Sequence, residues 1–202
     1  MSISGLLFPE RKFTMFYVFL AEGFEETEAL APVDVMRRAK LDVKTVGVTG
    51  ECVTSSHGVP VKADITIDNI DLDDVQGVVL PGGMPGTLNL EANEKVIEAV
   101  KYSCENGKIV AAICAAPSIL GHLGILDGKK ATCFPGFEKG KVSSVQNIKK
   151  SEKAVLPKRS NSLTSPCRTL FWQVRNTKAV MCFLPLFHHR LRLTPRLFLK
   201  QR

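Results

Sequence analysis

No glycine occurs among residues 141–202, although the first 140 residues of this 202-residue chain hold all 15. A folded segment of that length ordinarily uses glycine at positive-φ turns and helix ends. Acidic residues are almost missing there too: a single Glu accompanies 14 Lys and Arg, whereas residues 1–140 hold 19 Asp and Glu against 13 Lys and Arg. The formal charge of +7 therefore belongs to the tail, and no nucleic-acid partner is expected of the remainder. Long apolar runs are lacking: Phe16–Ala21 and Val110–Ile113 fall far short of the roughly 20 residues that cross a bilayer, so no membrane span is expected. Residues 1–14 carry no small-residue cleavage signature and read as an N-terminal extension, which leaves a cytoplasmic, reducing setting as the expectation. The six cysteines include no C-x-x-C pair and no His at zinc-finger spacing, so no metal site is expected. Taken singly, each cysteine reads as a small buried hydrophobe.

What remains is a chain with 45% apolar and 23% charged residues, enough for one domain with its own core. Phe16–Leu20, Val43–Val48, Gly77–Leu80 and Lys108–Ile113 read as strands apolar on both faces, and Lys130–Cys133 as a further strand. Val53 and Val59–Ile67 suggest a hairpin around Ser55-Ser-His-Gly58. A helix is expected to begin near Thr27, with Ala29, Val33 and Met36 on one face, Pro32 in its first turn, and Arg37 and Arg38 at its end. Further helices are expected over Leu88–Tyr102 and Pro117–Leu126. Helices alternating with apolar strands indicate a flavodoxin-like, doubly wound α/β fold with a mostly parallel sheet covered on both faces. In such a sheet the site lies beyond the carboxyl ends of the strands. Three segments converge there: the acidic turn Glu22-Gly-Phe-Glu-Glu26, the loop Pro81-Gly-Gly-Met-Pro-Gly86, and the junction at Cys114.

Ile113-Cys-Ala-Ala-Pro117 places a thiol where a buried strand turns abruptly into a helix, which is the geometry of a nucleophile elbow. The N–H groups of a helix N-terminus are expected to lower the thiol pKa. The Ala115 N–H can meet a developing oxyanion, and Gly83 lets a second backbone N–H approach from the neighbouring loop. His57 reads as a surface residue of its hairpin, and His122, His188 and His189 show no acidic or cysteine partner at ligand spacing.

These residues resemble the ThiJ/PfpI superfamily, in particular the branch that holds the Parkinsonism-associated protein deglycase and its bacterial relatives. The resemblance rests on Ala21-Glu-Gly-Phe-Glu-Glu-Thr-Glu28, Pro32-Val-Asp-Val-Met-Arg-Arg38, Leu80-Pro-Gly-Gly83 and Ala111-Ala-Ile-Cys-Ala-Ala-Pro117, and covers residues 15–138. It implies that Cys114 is the nucleophile and redox-sensitive thiol and that Glu28 is the carboxylic acid bonded to it, kept neutral by burial. Gly83 and Ala115 are then the backbone donors. Some members place a His after the elbow helix; Thr132-Cys-Phe-Pro135 has none, so the resemblance implies Cys–Glu chemistry instead of a Cys–His dyad. In related dimers a basic residue near Arg37 and Arg38 lies by the neighbouring subunit's site, so a homodimer is an implied partner.

The activity so implied uses no cofactor and acts on glyoxal, methylglyoxal or glycated groups to form 2-hydroxy acids. Two other outcomes follow from the same residues: a redox sensor or chaperone whose Cys114 is oxidised without turnover, or an inactive truncated member. Truncation enters because the family's closing strand, Ser-Arg-Gly-Pro-Gly-like turn and long final helix are not recognisable after residue 140. The domain reading is an extension over 1–14, an α/β domain over 15–140, and a basic, glycine-free tail over 141–202 that is disordered or translated out of frame.

Overall fold

The computed structural model describes residues 14–127, 129, 131–137 and 168–172. Five parallel pairings build one sheet in the order β5-β2-β1-β6-β7-β8, from β1 (Met15–Leu20), β2 (Val43–Gly47), β5 (Ile65–Thr66), β6 (Val75–Leu80), β7 (Ile109–Ile113) and β8 (Arg168–Trp172). A separate antiparallel pair joins β3 (Cys52–Thr54) to β4 (Pro60–Lys62).

Alternation along β1 shows why its apolar run needs no polar residue. Tyr17 and Phe19 enter one core, while Phe16, Val18 and Leu20 enter the other, because successive side chains leave a strand on opposite faces. The first core is closed by α2 (Gly86–Ala92), α3 (Glu94–Glu105) and α4 (Pro117–His122), through Leu90, Val96, Val100, Ile119 and Leu120. The second is closed by α1 (Glu26–Arg38), whose Ala29, Val33 and Met36 are buried at helical spacing. Strand order reverses around β1 and β6, so the carboxyl ends of β1, β6 and β7 open onto a common crevice.

Several local expectations are corrected. Glu25 caps α1, accepting the Glu28 N–H at 2.6 Å, so Pro32 is the seventh helical residue and not part of the first turn. Having no N–H, Pro32 gives the Glu28 carbonyl no α-helical donor, and packing of the apolar face tolerates this loss. The helix foreseen over 88–102 is two, because the Asn93 side chain accepts the N–H groups of Lys95 and Val96 and starts a new one. The hairpin closes only over Pro60–Lys62; Ile65–Thr66 leave it to extend the main sheet, after a turn in which Asp64 accepts both the N–H and hydroxyl of Thr45 at 2.8 Å. The helix expected over Pro117–Leu126, α4, stops at His122.

Residues 131–133 form no strand, and Lys130 lies outside the described residues. The edge of β7 away from β6 is occupied by β8, from Ile109↔Arg168 to Ile113↔Trp172. No strand was expected so late in the chain. Apart from Thr14 and β8, the extension over 1–14 and the tail over 141–202 lie outside the described residues, as do His188 and His189. Among the described residues no helix is long and apolar enough to cross a membrane.

Candidate functional site

Cys114 follows the last residue of β7 with φ at +59°, a left-handed conformation unusual for a residue that bears a side chain. Such a conformation costs on the order of 1–3 kcal/mol and persists only where the surroundings fix it. They do so here: Ala116 N–H donates to the Ile113 carbonyl at 3.0 Å, and Phe134 N–H to the Cys114 carbonyl at 2.6 Å. The N–H groups of Ala115 and Gly83 both bond toward the Cys114 sulfur, so the two expected donors do converge on the thiol.

Glu28 reaches the same point from α1. Its Oε2 accepts the Gly82 N–H at 2.9 Å, and its carboxyl is hydrogen-bonded to Cys114. The crevice is closed by backbone packed on backbone: Glu25 N–H donates to the Gly82 carbonyl at 3.0 Å, and Gly86 N–H to the Gly23 carbonyl at 3.2 Å. Gly82 is the residue the sequence reading missed. A Cβ there would lie 2.7 Å from both the Cys114 Cβ and Glu28 Oε2, so only glycine lets these two side chains meet. Gly83 has φ at +94°, and its Cβ would lie 2.4 Å from the Glu25 nitrogen. The Pro-Gly-Gly sequence signals a tight loop, but which glycine separates the acid from the thiol is decided only by the approach of α1.

The electrostatics depart from the simple helix-end argument. Burial, followed by the negative charge of Glu28 and its hydrogen bond, pushes the Cys114 thiol up to about 12, and the Ala115 and Gly83 N–H groups offset only part of this. Burial also raises the Glu28 carboxyl, assisted by Glu25 and opposed by the Gly82 N–H and the Cys114 hydrogen bond. The helix after Cys114 is six residues long, too short for its end to dominate a buried neighbouring charge. Both shifts favour the protonated forms, so a thiolate at Cys114 is opposed least when Glu28 is protonated.

The other expected residues lie apart from this pair. His57 Nδ1 is 3.0 Å from Glu26 Oε1, with the His side chain 70% exposed and the Glu 21%. Glu25, Glu26 and His57 can each direct one ligand atom within 4.8 Å of the others. Glu25 is already used by the α1 cap, and Glu26 by His57. Arg37 pairs with Asp64 at 2.6 Å and Arg38 with Asp34 at 2.9 Å, so both have partners within their own chain. His122, which the sequence left without an acidic partner, is brought within 2.5 Å of Glu91 by the packing of α4 on α2. Among the other cysteines Cys52 is exposed, Cys133 is buried, and Cys104 is disulfide-bonded, so the reading as a small buried hydrophobe fits Cys133 alone of these three.

A thiol on a strained strand-to-helix turn, two backbone N–H groups aimed at it and a buried carboxyl against it define a cysteine-centred α/β protein with its site at the carboxyl ends of a parallel sheet. The DJ-1/PfpI family pattern matches residues 15–168, and the chain belongs to that family. Protein DJ-1 homolog B of Arabidopsis thaliana is 37% identical over 120 residues, which make up 58% of this chain but only 27% of that protein. Deglycase TK1284 of Thermococcus kodakarensis is 34% identical over 115 residues, 57% of this chain and 69% of the relative. The solved structure of oxidized DJ-1 from Toxoplasma gondii superposes with a TM-score of 0.59 at 35% identity, covering 62% of this chain and 69% of that one.

Proposed function

We propose that the chain is a cysteine-dependent enzyme that converts glyoxal, methylglyoxal or the corresponding glycated groups to 2-hydroxy acids. The observation that carries this reading is the hydrogen-bonded pair of Cys114 and Glu28, pressed together across Gly82 and set beside the N–H groups of Gly83 and Ala115. A relative that bears the name deglycase supports the same direction.

With Glu28 protonated and Cys114 ionised, sulfur attacks the aldehyde carbon of methylglyoxal. The carbonyl π pair moves to oxygen, which the backbone N–H groups stabilise and Glu28 then protonates, giving a hemithioacetal. The Glu28 carboxylate so formed removes the proton from the former aldehyde carbon, and the resulting enediol is reprotonated at the adjacent carbon, leaving a thioester. Water cleaves the thioester to lactate, releasing one proton to solvent and leaving one on the Cys114–Glu28 pair. The sum is methylglyoxal plus water to lactate plus a proton, with no external oxidant or reductant. No cofactor is needed for this sequence.

The test is to incubate the purified full chain with excess methylglyoxal and measure lactate per mole of protein. Many equivalents, lost in the Cys114→Ala protein, support the enzyme. At most one equivalent, with oxygen atoms added to Cys114 under peroxide, supports the redox-sensing reading instead.

A further inference from the structure

Cys104 stands in the last turn of α3 and is disulfide-bonded. The chain has six cysteines, of which Cys52, Cys114 and Cys133 are free. The candidates for its partner are therefore Cys167 and Cys182, both of them outside the described residues. We propose that the partner is Cys167, and that the bond is a redox-operated strap holding β8 on β7, the strand that leads into Cys114.

The backbone selects between the two candidates. Lys108 N–H donates to the Ser103 carbonyl at 2.8 Å and Gly107 N–H to the Cys104 carbonyl at 3.3 Å, so the turn after α3 folds the start of β7 back beside Cys104. From there β7 pairs in parallel with β8, beginning at Ile109↔Arg168. Cys167 directly precedes Arg168 and so enters β8 at the end nearest this turn. Neighbouring strands run about 4.8 Å apart, and a disulfide joins Cα atoms about 4.4–6.8 Å apart. The chain leaves toward Cys182 from the opposite end of β8, at Trp172, about 13 Å further along, and would have to return the length of the strand.

The strand so tied comes from the basic, glycine-free part of the chain and joins the sheet along one edge. Cys104 and Cys167 are 63 positions apart, and the loop between them contains Cys114. A cross-link over a loop of that length removes much of the entropy that an open chain loses when β8 docks. With the bond broken, the edge of β7 opens more often. In the reducing setting expected from the sequence, such a bond is a switch instead of a permanent staple. Glutathione disulfide closes it by two exchanges. One cysteine thiolate attacks it, displacing a glutathione thiolate and leaving a mixed disulfide; the other cysteine thiolate attacks the protein sulfur of that mixed disulfide and displaces the second glutathione. The two cysteines lose two electrons and two protons, which leave as two glutathione thiols, and excess glutathione runs the sequence backward.

The experiment incubates the full chain with glutathione disulfide or with excess glutathione, blocks free thiols, and digests with trypsin without reduction. The oxidised sample should give peptides 102–108 and 160–168 joined by one disulfide, and the reduced sample should give them apart. Hydrogen exchange of the Ile109–Ile113 amides should be at least about tenfold faster in the reduced protein. Cys167→Ser should exchange at the reduced rate under both conditions, and Cys182→Ser should follow the native protein, which separates the strap from glutathione acting on any other thiol. A link from Cys104 to Cys182, or no link at Cys104 under glutathione disulfide, overturns the assignment. Equal exchange in the two native samples overturns the strap, even with the link in place.

Discussion

Glu26 and Glu28 stand two residues apart in the first turn of α1, and their surroundings drive them in opposite directions. Glu26 meets the exposed His57, and the hydrogen bonds it accepts hold its carboxyl below the ordinary range. Glu28 faces inward, where burial raises its carboxyl and its charge in turn raises the thiol of Cys114. The same residue type in one helical turn is thus the partner of an exposed His on one side and half of a buried couple with a thiol on the other. The difference comes from what the neighbouring loops bring: the β3–β4 hairpin brings a cation, and the Pro81-Gly-Gly loop brings a buried edge with one N–H.

The sharpest way to break this comparison is to remove the inner partner. In Cys114→Ala, dicarbonyl turnover is expected to fall by more than about a thousandfold while the far-UV spectrum stays that of the native fold. Retained activity would move the chemistry to another residue. The same protein should resist unfolding at least as well as the native one, because a thiol at φ +59° serves reaction more than packing.

The next largest effect is steric. Gly82→Ala places a methyl 2.7 Å from both reactive side chains and should lower stability by roughly 1–3 kcal/mol, read as a shift of the denaturant midpoint, and abolish turnover. An unchanged midpoint would mean that α1 does not press Glu28 against this loop as described.

The coupling itself is read by titration. In the native protein the last proton should leave the Cys114–Glu28 pair only near pH 12, visible as thiolate absorbance; in Glu28→Gln the opposing charge is gone and the thiol ionises at lower pH. A group whose pKa is raised on folding favours the folded state at low pH and loses that contribution as pH climbs. Cys114 should therefore destabilise the fold between its ordinary value of 9.0 and about 12, and Glu28→Gln should weaken that alkaline loss. Identical titrations in the two proteins would dissolve the pair.

The outer pair should yield the smallest change. Glu26 is lowered from 4.5, so its contribution is present above that pH and is lost as acid protonates it. His57 is raised from 6.5, so its contribution is present below that pH and is lost as base removes its proton. Stabilisation should peak between these values, disappear in His57→Asn and be weakened by salt, since the His57 side chain faces water. A response as large as that of Gly82→Ala would show that the hairpin, too, is part of the site's support.

Much of this was legible in the residues. The apolar runs of β1, β6 and β7 required burial on both faces and hence a parallel sheet, and the abrupt strand-to-helix turn at Cys114 marked the thiol. Glu28 was recognisable only through the likeness of the acidic loop, since no local signal distinguishes it from Glu25 or Glu26. The break at Asn93 has a local signal, a side chain that competes for helix N–H groups, but the apolar spacing that runs across it suggests one continuous helix. The β8 strand left no such trace: Arg168–Trp172 lies within a basic stretch whose partner, the free edge of β7, exists only once the sheet is built.

Sequence alone determined the two apolar layers and the alternation of strands and helices up to the turn at Cys114, and singled out that thiol as the candidate nucleophile, because hydrophobic periodicity and small residues act locally. Tertiary structure decided the state of that thiol. Only the approach of α1 over Gly82 places the Glu28 charge beside Cys114, and burial with that neighbour outweighs the backbone N–H groups that would otherwise lower its pKa. The balance between a buried charge and a few oriented dipoles depends on distance and dielectric, quantities that exist only after residues far apart in the chain have been brought together.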